Sequence, residues 1–348
     1  MTEVATAEGY RLTPSGLDPD VKSPLAQFKG EHPPAPAWFK DALSQAPVER
    51  QIAVARTDIE VLEWGAKSAL PSLFLLHGTG ASADWWRFIA PMLAHDRRVV
   101  AMSWSGMGRS GWRKTYSFEN YADEATAIAE AVGLFNAGGA PILVGHSMGG
   151  MVGTLCCSRP DNCFRSIIAI DSGILDYQPP PDWRELEDEA RIASADWPSY
   201  NIYPTPPAAL LRYRFLPPQS SANGFITDFI ARSNLREAVT PNGGKGWTWR
   251  SDPKLRFLGE EPDFFARRLP HVTRPMVLIR GGISALIRPE RFRKTVELAP
   301  PGTIGFEVPQ AGHHVLVDQP LALVAVLEAL LVAWPPAKAA VPKPEMNP

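Results

Sequence analysis

The chain of 348 residues has only three cysteines and almost no net charge, 35 Lys and Arg facing 37 Asp and Glu. Cys156 and Cys157 are adjacent and Cys163 is close by, so they make neither a closed disulfide framework nor the paired spacing of a zinc site. They read as buried spectators. A net charge of −2 supplies no field to gather nucleic acid or an anionic membrane. Long apolar runs are missing too: the greasiest stretch, Leu321 to Trp334, is too short to span a bilayer and contains Glu328. The first nine residues carry Glu3 and Glu8 around no apolar core, unlike a secretory signal. These shortages point to a cytoplasmic protein with no nucleic-acid or membrane partner and no cofactor or metal; a homodimer is compatible with them.

Proline is abundant, with 35 residues gathered at the two ends and in the middle. A hydrophobic fraction of 45% suits one large α/β domain with an insertion. Residues 1–47 are polar and proline-dotted and read as an extension that packs along the domain. Gln51 to Arg56 and Ile59 to Trp64 alternate apolar and polar and read as a hairpin turning at Thr57-Asp58. Apolar runs of buried-strand length follow at Ser72–Leu76, Arg98–Ser103, Pro141–Gly145, Arg165–Asp171, Pro275–Arg280 and Thr303–Val308. Between them lie helical patterns near Asp84–Ala94, Glu119–Phe135 (with Ser117 as N-cap), Met151–Ser158 and Pro289–Leu298, and a last helix runs to Trp334. Alternation of this kind predicts a doubly wound, mostly parallel sheet. The rhythm breaks over residues 172–270, which read as an inserted helical cap with short helices at Trp183–Ala195 and Asn223–Ser233 and a loop over Gly243–Trp249. The tail, 335–348, reads as disordered.

The chemistry centres on Pro141-Ile-Leu-Val-Gly-His-Ser-Met-Gly-Gly150. A strand enters Gly145-His146-Ser147-Met148-Gly149 and a helix leaves it, the context in which G-x-S-x-G lifts a serine hydroxyl above a sheet edge. A nucleophilic serine needs a base beside it and an acid behind that base. Such groups belong beyond the carboxyl ends of strands. His313 is placed there, after a strand and Gly312. His314, next to it, cannot face the same serine and reads as a packing neighbour. His146 and His77 read as structural histidines.

Taken together, His77-Gly-Thr-Gly80, Gly106-x-Gly108-x-Ser110, the elbow and Gly312-His-His314-x-x-x-Asp318-x-Pro320 resemble the α/β-hydrolase superfamily, over about residues 48–334. The resemblance implies a core of residues 48–171 and 271–334, with the cap inserted after the sixth strand. It implies Ser147 as nucleophile, His313 as general base, and the backbone N–H groups of Thr79 and Met148 as oxyanion hole. Family members often carry the acid in a Gly-x-x-Ser-Asp run after the strand matching Met276–Arg280. Here that run is Gly281-Gly-Ile-Ser-Ala285, so the acid falls to Asp171, a site used by some relatives, with Asp176 in reserve. A second departure is Ser103-Trp104-Ser105-Gly106, where relatives begin with aspartate; only a local structural consequence is expected. The candidate substrate-binding residues are Gly80, Trp85, Trp86, Trp183 and His146. The activity implied is hydrolysis of a carboxylic ester or lactone, of a bulky apolar or aromatic small molecule. Carbon–carbon bond hydrolysis, amide hydrolysis and ligand binding on a degenerate hydrolase fold are the alternatives.

Overall fold

In the computed structural model of the chain, residues 23–136, 138–178, 201–240 and 242–333 are described. The apolar runs and the first hairpin form one eight-stranded sheet. Its strands are β1 (Val48–Val54), β2 (Thr57–Trp64), β3 (Leu73–Leu76), β4 (Val99–Met102), β5 (Ile142–His146), β6 (Ser166–Ile170), β9 (Met276–Gly281) and β10 (Ile304–Val308). They lie in the order β1-β2-β4-β3-β5-β6-β9-β10. A separate antiparallel pair comprises β7 (Leu235–Val239) and β8 (Lys245–Trp249). From β4 to β10 the neighbours are parallel, whereas β1 and β2 add antiparallel strands at one edge.

The continuous apolar runs follow from burial on both faces. Leu73, Leu75, Val99, Ala101, Ile142 and Val144 face one hydrophobic cluster, and Phe74, Leu76, Val100, Met102 and Leu143 face the other. Successive strand residues point to opposite sides, so each layer receives every second side chain. Helix Met148–Ser158 is buried all round from Met148 to Cys157, which explains its lack of a polar stripe. It packs in the second cluster with helix Phe118–Ala131. Ser117 caps that helix, accepting the Asn120 N–H at 3.1 Å.

Two expectations change, and others lie outside the described residues. The first hairpin turns at Ala55-Arg56, not Thr57-Asp58. Both turn residues have positive φ, +46° and +65°, and Thr57 pairs with Val54 as the first residue of β2. Two central residues of positive φ match the right-handed strand twist. The insertion is not purely helical either: Gly243–Trp249, expected as a loop, contains β8. Gly246 and Thr248 are buried on one face of that strand, and Thr248 Oγ1 donates to Asn201 O at 3.2 Å. The short helix expected at Trp183–Ala195 lies outside the described residues, as do the tail and nearly half of the 1–47 extension. Within the described part of that extension, Ala37–Ser44 is a helix that buries Phe39 and Ala42.

Candidate active site

β5 ends at His146 and the chain reverses at once into helix Met148–Ser158, leaving Ser147 between them with φ +53° and ψ −121°. A non-glycine residue held there is strained. Close crossing of backbone enforces it. A Cβ on Gly145 would lie 2.4 Å from the Gly149 carbonyl carbon, and one on Gly149 would lie 2.3 Å from Leu76 O. Side chains cannot fit where the strand and departing helix pass, so the elbow needs glycine on either side. The Ser147 N–H donates to Ile170 O at 2.8 Å, fastening the elbow to β6.

Asp171 stands at the end of β6, fully buried and with φ +44°. Its Oδ2 is 2.7 Å from His313 Nδ1, in the loop after β10. The Gly281 N–H donates to its Oδ1 at 2.8 Å, and Ser284 Oγ donates to Oδ2 at 2.7 Å. An ionised carboxylate only accepts, so His313 Nδ1 carries its proton toward Asp171 and Nε2 keeps a lone pair. Asp176, the reserve candidate, is paired with Arg291 Nε at 2.8 Å. The sequence alone does not single out Ser284 and Gly281. Their one trace there is the Gly-x-x-Ser run before Ala285, whose hydroxyl serves a carboxylate arriving from the neighbouring strand.

His146 Nε2 lies 2.9 Å from His313 O and must donate to it, which leaves Nδ1 bare. That nitrogen is buried with no partner. Burial, reinforced by the neighbouring His313, pushes the His146 pKa down to about 3. His314 is also held well below the ordinary imidazole range, first by burial and then by His313 and His146. Its ring centroid is 4.7 Å from Phe215 and 5.5 Å from Trp85. One nitrogen from each of His146, His313 and His314 lies within 4.8 Å of the others. In this packed cluster His313 Nδ1 is bonded to Asp171 and His146 Nε2 to the His313 carbonyl.

The loop after β3 brings Thr79 to the start of the serine helix, with Thr79 Oγ1 3.4 Å from Met148 Sδ. Met148 is the first helical residue, so its N–H has no carbonyl to reach within the helix. Gly78 faces the serine directly, since a Cβ there would stand 3.0 Å from Ser147 Cβ. His77 fixes this loop from beneath. Its Nδ1 donates to Gly78 O at 2.7 Å, its Nε2 accepts the Trp104 N–H at 3.1 Å, and Trp104 Nε1 donates to His77 O at 2.9 Å. Burial lowers the His77 pKa to about 4. Ser103, in place of the relatives' aspartate, donates to buried Glu60 Oε2 at 2.7 Å and accepts the Ala83 N–H at 2.9 Å. That departure is local.

Of the expected substrate-binding residues, Gly80 has φ +70°, and a Cβ there would meet only Leu216, at 4.0 Å. Trp85 is 5% exposed and stacks beside His146 with centroids 6.3 Å apart. Trp86 is fully buried in the core. Its flat, apolar bulk fills the layer beside the sheet. His146 supports the loop that carries His313, as described above. Trp183 lies outside the described residues.

The fold and the elbow match a known class. The model of the alpha/beta hydrolase family fits residues 73–326, and the chain belongs to that family. Among curated proteins it is 24% identical over 277 residues to esterase Rv0045c of Mycobacterium tuberculosis, covering 78% of this chain and 86% of that one. It is 25% identical over 289 residues to a 2-(acetamidomethylene)succinate hydrolase of Mesorhizobium japonicum, covering 79% and 92%. Among solved structures, a thioesterase domain from the curacin biosynthetic pathway superposes with a TM-score of 0.66 at 22% identity, covering 82% and 99% of the two chains. No helix among the described residues is long and apolar enough to cross a membrane.

Proposed function

We propose that this protein is a serine hydrolase acting on a carboxylic ester or lactone, with Ser147 as nucleophile, His313 as general base and Asp171 as the acid behind it. The observation that carries the reading is the 2.7 Å contact between His313 Nδ1 and Asp171 Oδ2, which leaves the other imidazole nitrogen unprotonated. Its curated relatives with names of esterase and hydrolase agree with it.

The chemistry follows. Ser147 Oγ bonds to the acyl carbon while its proton passes to His313 Nε2. Asp171 stabilises the imidazolium so formed and stays ionised. The carbonyl oxygen becomes an oxyanion, received by the Thr79 and Met148 N–H groups, each contributing about 3 kcal/mol to the transition state. The N-terminal end of helix Met148–Ser158 adds a favourable dipole. His313 then returns the proton to the leaving alkoxide oxygen as the C–O bond breaks. Water, deprotonated by the same nitrogen, attacks the acyl carbon; the bond to Ser147 Oγ breaks, His313 returns the proton to that oxygen, and the acid is released.

The test is a chromogenic ester panel with fluorophosphonate labelling of the wild type and Ser147→Ala. Labelled wild type and an inert, unlabelled variant are the expected results. A wild type that neither takes the label nor cleaves any ester, lactone or amide would sink the proposal. Bulky aromatic esters should outpace acetyl esters.

A further inference from the structure

The segment 215–223 of the insertion is bonded to the loop that carries His313. Gln219 spans it. Its Oε1 accepts the His314 N–H at 3.1 Å, and its Nε2 donates to Asp318 Oδ2 at 2.9 Å. That same carboxylate oxygen accepts the Gly312 N–H at 2.7 Å. The backbone is therefore gripped immediately before and immediately after His313, through one amide side chain and the carboxylate it holds. Between those points, the His313 carbonyl accepts from His146 Nε2 at 2.9 Å. Fit is tight, because a Cβ on Gly312 would stand 2.8 Å from Gln219 Oε1. Asn223 extends the contact, its Nδ2 donating to Val317 O at 2.8 Å and Asp318 O at 3.1 Å.

Asp318 is not itself in reach of a cation among these contacts, and burial raises its pKa above the ordinary carboxylate value. Its two donors are Gly312 N–H and Gln219 Nε2. Loss of Gln219 would remove one of these and also orphan the His314 N–H, leaving the base loop free to shift. Since the reacting nitrogen must meet the serine within a few tenths of an ångström, a shift there is read directly in the chemical step.

We propose that Gln219 is a positioning residue: seating the cap sets the orientation of His313 through the Gly312–His314 backbone, so that the lid and the general base engage together. The inference rests on the serine-hydrolase reading above. It says nothing of pocket lining, and that difference can be measured.

The variants are Gln219→Met, which keeps the length and loses both hydrogen bonds, and Gln219→Glu, which keeps an acceptor and sets a carboxylate against Asp318. Steady-state kinetics on an ester the wild type cleaves, the second-order rate of fluorophosphonate labelling and the thermal midpoint are recorded together. The expected result is a fall in kcat of about ten- to a hundredfold, a parallel fall in labelling rate, and KM within about twofold of wild type. The midpoint should stay within about 3 °C. Should Gln219→Met not fold, Gln219→Glu carries the same readouts. The pair Gln219→Met and Asp318→Asn should be non-additive, the double variant losing little more than the worse single. A rise in KM with kcat intact would make Gln219 a pocket residue and overturn the inference. So would unchanged kcat and labelling, or loss accounted for by the unfolded fraction alone. A wild type that resists the label sinks the underlying hydrolase reading instead; an active wild type with indifferent Gln219 variants sinks only this proposal.

Discussion

Replacing Asp171 by asparagine gives the sharpest test of the site, because the surroundings dictate how the new amide must lie. Gly281 offers a backbone N–H to Oδ1 at 2.8 Å, and a backbone donor cannot turn into an acceptor. The oxygen of the introduced amide must occupy that place. Its NH2 group is then directed at His313 Nδ1 and Ser284 Oγ, both 2.7 Å from the present Oδ2. The serine hydroxyl can rotate to accept. His313 can respond only by giving up its Nδ1 proton and carrying it on Nε2, the nitrogen that must take the proton from Ser147. The imidazole is locked in the unproductive tautomer. Loss of about 10⁴-fold in kcat is expected, equivalent to ~5.5 kcal/mol of transition-state stabilisation. Asp171→Ala, which leaves the imidazole free to choose its tautomer, should be no more harmful. The assay is kcat on a chromogenic ester, in protein whose thermal midpoint confirms folding, with Asp176→Asn alongside. If Asp171→Asn kept a tenth or more of the wild-type kcat, or if Asp176→Asn alone collapsed it, the reasoning would be refuted.

Two further outcomes follow from the same neighbourhood. Ser284→Ala removes one donor from a buried carboxylate that keeps two others; about 1.5–3 kcal/mol of stability should go, with kcat reduced about tenfold, read by urea unfolding and ester turnover. An unchanged unfolding midpoint would count against the bond. His77 supplies a pH signature: its folded pKa is near 4 against an ordinary 6.5, so at neutral pH it costs nothing. As pH falls from 6.5 toward 4 the unfolded chain takes up a proton that the folded one refuses, and stability drops by up to about 3 kcal/mol before levelling off. Unfolding series at pH 7 and pH 4.5 should show a smaller drop for His77→Gln than for the wild type, and equal drops would refute the assignment.

The parts of the molecule that depend on local pattern are readable from the residues themselves. β3, β4, β5, β6 and β9 are continuous apolar runs because both faces are covered, and the glycines around Ser147 signal a backbone crossing that nothing else tolerates. His313 is legible from its place after a strand. The acid is not decided by pattern alone: Ala285 removes one candidate, but choosing between Asp171 and Asp176 depends on which carboxylate three-dimensional packing delivers to an imidazole 142 positions away. Ser284 and Gln219 are invisible for the same reason, as a hydroxyl and an amide reveal nothing until their partners arrive. The hairpin over β7 and β8 is hidden by glycine-rich Gly243-Gly244, whose turn chemistry masks the alternating Gly246 and Thr248 behind it.

Asp171 is the last residue before the insertion departs, and its neighbour Ser172 already belongs to that excursion. On the proposed reading, exchanging residues 172–270 for those of a relative cuts next to the carboxylate bonded to His313 Nδ1 and removes Gln219, whose Oε1 accepts the His314 N–H. On that reading, grafts joined at 172 would disturb the proposed triad along with any specificity the exchanged segment carries. Junctions drawn beyond Asp176, with the 215–223 segment retained, would keep the two properties separable.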